Sequence, residues 1–211
     1  MDNKALFVGI QADPEKIADV SRFLRGALEP VEEEPDTRDW YAIRFGTAQF
    51  AIFDTFPGNA GRLKHLLGHV GRSLILKTFT ILDGLPDIRP ADVLAAKPLT
   101  SAGKVAFSLH VPLRARPGQE NAVGAFLTAA KAFVEAEPGT LSWYALRLSH
   151  DSFAIVDFFP DEMSRNAHLS GKVASALMAQ ADDLFAVPPE IRRGDVLASK
   201  AASDLKAFAR A

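Results

Sequence analysis

Two stretches of this 211-residue chain hold most of the residue types that can do chemistry. The first reads WYAIR over 40–44, then FAIFDTF over 50–56, then Arg62 and His65. The second reads WYALR over 143–147, then FAIVDFF over 153–159, then Arg165 and His168. If Arg44 lies opposite Phe50 in a hairpin, Ala42 faces Ile52 and Trp40 faces Asp54. Side chains alternate along a strand, so these share one side of the sheet. The same arithmetic groups Trp143, Arg147, Phe153, Ile155 and Asp157. The guanidinium can bind a phenolate or carboxylate, the indole can stack on a flat ring, and the carboxylate can move a proton. The plainer alternative is an Arg–Asp pair that neutralises itself, with Trp as packing, because buried charges are normally paired.

Arg62/His65 and Arg165/His168 are spaced i, i+3 and share a helix face. The histidines are candidate general bases at a pocket mouth, or structural residues bonding a strand end. Phe56, Phe159 and the two arginines complete the expected lining. His65 and His69 have the i, i+4 spacing of two metal ligands, but Lys172 replaces His69 in the second stretch. No third ligand is apparent, so no metal is expected. His110 stands where the first half has Phe7. The second half is therefore expected to carry the better-equipped pocket, with His110, Arg147 and Asp157.

The elements that position these residues also occur twice, offset by 103 residues (Trp40 to Trp143) without a gap. A repeat of this length is a duplicated domain. Leu6, Val8 and Ile10 alternate along a first strand, and Leu109, Val111 and Leu113 match them. Asp13-Pro14 reads as a helix N-cap and first helical residue, and a helix covers the Leu6/Val8 face over 14–31. Its counterpart runs over 117–134. The hairpin follows, then a helix carrying the histidine, a further helical segment over 71–85 and 173–186, and a last strand over 88–97 and 191–200. Each half is β-α-β-β-α-β, the ferredoxin-like plait. The fold class is α+β, with two such repeats packed sheet to sheet as an α+β barrel within one chain. The domains are 1–97 and 105–211, with linker 98–104 and a terminal helix over 202–210. Tyr41, Ile43, Phe45, Ala51 and Phe53 are apolar enough to lie under the helices. The Trp/Arg/Asp side is therefore expected to face the barrel.

A net charge of −2 without a Lys/Arg block argues against nucleic acid or an anionic membrane as partner. There is no cysteine, hence no disulfide or thiolate metal site. The absence of a signal-like start or a long apolar run points to a cytoplasmic protein. A further homodimer is left open beside the intrachain pseudo-dimer.

The Trp-Tyr-Ala-x-Arg and Phe-Ala-Ile-x-Asp-x-Phe strands, the Arg-x-x-His-Leu-x-Gly helix and the closing Asp-Val-Leu-Ala-x-Lys strand together resemble the antibiotic biosynthesis monooxygenase family. That family belongs to the dimeric α+β barrel superfamily, and the resemblance covers both halves. It implies a fused dimer. It also implies a cofactor-independent monooxygenase acting on a small aromatic such as a quinol or polyphenol in the barrel cavity, without metal or flavin. The alternative is a small-molecule-binding or structural barrel. Haem-degrading relatives carry an Asn on the first strand and a Trp before the helix histidine, and both are missing here.

Overall fold

The computed structural model describes residues 3–99 and 104–200. The expected helix over 202–210 and most of the linker lie outside them. The order is β1 (Lys4–Gln11), α1 (Ile17–Gly26), α2 (Leu28–Glu32), β2 (Trp40–Arg44), β3 (Gln49–Phe56), α3 (Asn59–Leu66), α4 (His69–Lys77) and β4 (Asp87–Lys97). The second repeat follows as β5 (Phe107–Arg114), α5 (Glu120–Glu135), β6 (Ser142–Arg147), β7 (Ser152–Phe159), α6 (Glu162–Leu169), α7 (Lys172–Ala179), α8 (Ala181–Leu184) and β8 (Arg192–Lys200). The eight strands run in the closed order β1-β3-β2-β8-β5-β7-β6-β4, the tandem α+β barrel expected from the sequence. Asp13 does not cap α1. Its carboxylate accepts the Glu15 amide and stabilises a turn, and the helix starts three residues after Pro14.

The described residues pack as two compact units, one of 3–90 with 195–200 and one of 91–99 with 104–194. In the first, β3 lies between β1 and β2, and β2 also pairs with β8. In the second, β7 lies between β5 and β6, and β6 also pairs with β4. The last strand of each repeat thus completes the sheet of the other repeat. Each of these pairings has one irregularity, between Ala42 and Ile43 opposite β8 and between Val93 and Ala95 on β4. The bulged residues are the equivalent Leu197 and Leu94, and both join a hydrophobic core.

The hairpin registers agree with the sequence reading. Trp40 faces Asp54, Arg44 faces Phe50, and Trp143 faces Asp157. The face assignment does not. Leu6 and Val8 lie opposite Asp54 and Ile52, so these residues share a face. That face also carries Trp40, Ala42 and Phe50, and it packs on Val20, Leu24 and Val31 of the helices. The Trp/Asp side therefore lies under the helices and does not line the barrel. Tyr41, Phe53 and Phe7 lie on the other face. Alternation was read correctly, but both hairpin faces are apolar enough to be covered, and only the pairing with β1 fixes which one is.

The exchanged strand also closes a helix end. Lys200 is buried, and its Nζ donates to Val31 O at 2.7 Å and Glu34 O at 2.6 Å. Lys97 does the same to Val134 O at 3.1 Å and Glu137 O at 2.7 Å. Free carbonyls at a helix C-terminus favour such a cation. Lys200→Met should cost about 1.5–3 kcal/mol, the worth of hydrogen bonds from a charged donor, read by urea unfolding. Val8→Asp should cost about 3–5 kcal/mol by leaving a carboxylate unpaired in the first core, and an unchanged midpoint would contradict the face assignment.

Candidate functional site

Within each unit the fold brings together a histidine, two acidic residues and a threonine. In the first unit, His65 Nε2 lies 3.1 Å from Asp54 Oδ2, and Nδ1 lies 2.5 Å from Glu34 Oε2. Thr37 Oγ1 donates to the same Glu34 oxygen at 2.7 Å. In the second, His168 lies 3.1 Å from Asp157 Oδ2 and 2.6 Å from Glu137 Oε2, and Thr140 donates to Glu137 at 2.8 Å. The rings of Phe56 and Phe159 tilt over the two imidazoles at 5.5 and 5.4 Å. The aspartates come from β3 and β7 and the histidines from α3 and α6. The glutamates come from the loops after α2 and α5, whose carbonyls Lys200 and Lys97 hold.

Both imidazoles are buried. Burial alone would lower their pKa, but the aspartate beside each ring and then the glutamate outweigh it. Both are pushed up to about 10. Burial pushes Asp54 and Asp157 up, and the imidazole opposes it. Glu34 and Glu137 are partly desolvated, yet their bonds to the histidines hold them below the usual carboxylate range. At neutral pH each imidazole therefore carries its proton, with the glutamate carboxylate on one nitrogen and the buried aspartate, itself pushed up by burial, on the other. Such a histidine cannot accept a proton, so the base expected at His65 or His168 is already occupied.

Each site opens to the surface through a cleft. The second is about 740 Å³, walled by Ala132, Phe133, Ala136, Pro138, Met163 and Ala167, with Glu137, Thr140 and His168 among its lining residues. The first is about 550 Å³, and Glu34, Thr37 and His65 occupy the same places in it. A separate cavity of about 40 Å³ lies on the inner side of His65 and Asp54, lined by Leu6, Val8, Ile52 and Val70. Gly171 leaves room at the second cleft, because a Cβ there would stand 2.9 Å from Glu137 Oε1 and 3.0 Å from His168 O.

The remaining expected residues fall elsewhere. His110 lies opposite Val156, on the face away from Asp157, so the proposed His110/Arg147/Asp157 group is split between two sides of the sheet. Arg44 reaches Asp195 at 3.1 Å near the surface, and Arg147 lies 5.1 Å over the Phe153 ring, next to Gly124. Trp40 and Trp143 are fully buried in the cores, each with an indole N–H that has no bonding partner. Arg62 donates to Ala5 O and Asn59, and Arg165 donates to Gly194 O and Glu162 while lying over Phe107. Sequence reading missed Glu34, Glu137, Thr37 and Thr140. Their signal was present as the conserved spacing of Glu-Pro-x-Thr at 34–37 and 137–140 in both repeats. It stands at the Pro-containing exits of α2 and α5. Among the described residues, no group of three or more could hold a metal ion, and no helix is long and apolar enough to cross a membrane.

The raised histidine pKa sets a pH dependence. A group whose pKa rises on folding contributes stability that is full below its unfolded value near 6.5 and is lost as pH climbs through about 10. The melting temperature of wild type minus that of His65→Gln/His168→Gln should therefore shrink between pH 7 and 10.5. A difference that vanishes by pH 7.5 would contradict it.

No protein-family model and no curated protein matches this chain. Solved structures do. A candidate monooxygenase from Fusobacterium nucleatum is 15% identical, with a TM-score of 0.82 over 94% of each chain. A ferredoxin-fold protein from Listeria monocytogenes, related to antibiotic biosynthesis monooxygenases, is 10% identical, with a TM-score of 0.56 over 93% of this chain and 95% of that one. A protein of unknown function from Nitrosomonas europaea is 44% identical over 46% of this chain and 93% of its own, with a TM-score of 0.45.

Proposed function

We propose, for a chain with the fold of the monooxygenase-related ferredoxin-fold proteins, that it is a cofactor-independent monooxygenase. Its substrate is a small phenolic or quinol-like aromatic, held in the second-repeat cleft. One observation carries the reading. Glu137 Oε2 accepts from both His168 and Thr140, which leaves Oε1 as a fixed acceptor in a cleft with apolar walls. Such a cleft has the size and lining of a small-molecule site.

The residues then divide the work. A phenol O–H donates to Glu137 Oε1, and Phe133, Met163 and the alanines take the ring. His168 and Thr140 fix the carboxylate, so its orientation is set before substrate arrives. The same bonds keep Glu137 weakly basic, so it polarises the O–H as an acceptor and takes the proton as the ring passes an electron to O₂, when the phenol becomes strongly acidic. In the balanced reaction a ring carbon gains one oxygen atom, and the phenol becomes a quinone. The ring loses its C–H and O–H hydrogens, which leave with the second oxygen atom as water. The protein contributes a fixed proton acceptor and apolar walls that hold the ring.

A second reading is a binding protein without turnover. The doubly held imidazolium favours it, since that geometry also serves as a clamp between β7, α6 and the loop after α5. O₂ uptake with a panel of phenols and quinols decides between them. Wild type should consume O₂ with at least one, and Glu137→Gln, shown folded by its melting curve, should be slower by about 10²-fold or more. Ligand-induced rises in melting temperature without O₂ uptake would leave only the binding reading.

A further inference from the structure

The two clefts have the same polar triad and different walls. Position by position, Pro30, Glu33, Asp36, Lys64 and His69 of the first are replaced by Phe133, Ala136, Gly139, Ala167 and Lys172 of the second. Two carboxylates disappear, together with the lysine that lies 3.5 Å from one of them. An ammonium appears where the first repeat has a histidine. The backbone accommodates the exchange. In the first unit Asp36 packs on Gly61, whose added Cβ would stand 2.9 Å from Asp36 Cβ. In the second the pair is inverted, with Ser164 lying against Gly139. The walls thus differ in charge while the frame stays the same.

We infer that the chain has one aromatic-acid site, not two: the second cleft takes a flat apolar ligand with a hydroxyl for Glu137 and an anionic group for Lys172, and the first rejects it. The ring lies against Phe133, Met163, Ala136 and Ala167. Lys172, exposed at the start of α7, supplies the charge that distinguishes an aromatic acid from a neutral phenol. In the first cleft Glu33 repels the anion, the Asp36–Lys64 pair occupies the wall that Gly139 and Ala167 leave open in the second, and Pro30 stands in place of the Phe133 ring. The titratable groups facing the ligand in the second cleft are Glu137, His168 and Lys172. Glu137 is already satisfied on one oxygen by His168 and Thr140, so the ligand hydroxyl meets the other. This deepens the oxygenase reading by naming its substrate class, but the binding stands without turnover.

Calorimetry on the full chain, without O₂, tests it with 6-hydroxy-2-naphthoate, 2-naphthol and 2-naphthoate. The hydroxy acid should bind with one site per chain, and each single-function probe should bind about tenfold or more weakly. Lys172→Gln should reduce the hydroxy acid to the affinity of 2-naphthol. Ala136→Glu, an exposed substitution that copies the first cleft, should abolish binding. The converse variant Glu33→Ala/Asp36→Ala/His69→Lys should raise the count to two sites. Two sites in wild type, no binding in wild type, or an unchanged affinity in Lys172→Gln would each overturn the inference. Binding as described with no O₂ uptake would remove the oxygenase reading alone.

Discussion

One imidazolium held between two acidic side chains fixes the geometry of each unit. His65 and His168 face a strand aspartate at 3.1 Å on one nitrogen and bond a loop glutamate on the other. Three elements that are distant in sequence are thereby tied at one point: the second hairpin strand, the following helix and the exit of the preceding helix. The cost of burying an ion is large, and it is tolerated where opposite charges and hydrogen bonds surround it. Remove the ring and two acidic side chains are left close together in a poorly solvated place. The lysines on the exchanged strands support the same loops from behind, through the carbonyls of Glu34 and Glu137. Strand exchange and the polar site are therefore parts of one arrangement.

That arrangement changes which group can do the chemistry. A histidine in a cleft suggests a base, yet this one stays protonated until about pH 10. The accessible acceptor is the free oxygen of the glutamate it holds. Duplication makes the comparison sharp, because the triads agree within 0.1 Å at each bond while the cleft walls do not. Where the polar centre is held constant and the walls change, ligand choice resides in the walls.

Much of the fold was legible in the residues. Period-two alternation located β1 and β5, and the repeat identified helices that one copy alone left ambiguous, such as the segment 71–85, which is helical only as far as Lys77. Hairpin register followed from counting back from the loop. The face did not, because Tyr41, Ile43 and Phe53 are as apolar as Trp40, Ala42 and Ile52, and both sides are covered. Of the site, Asp54, Asp157, His65 and His168 were found by type and spacing. Glu34 and Glu137 were not, since a glutamate before a proline looks like a solvated helix end. What brings it to the histidine is tertiary: a chain reversal held by a lysine from the far end of the other repeat.

The account rests on the charge of the two buried imidazoles, and nitrogen-15 NMR of histidine-labelled protein reads it directly. Two of the five histidines should show both ring nitrogens in the protonated range, unchanged from pH 5 to 9, and the pair should disappear in His65→Gln/His168→Gln. Five histidines that all titrate near 6.5, or a pair fixed as neutral imidazole, would contradict it.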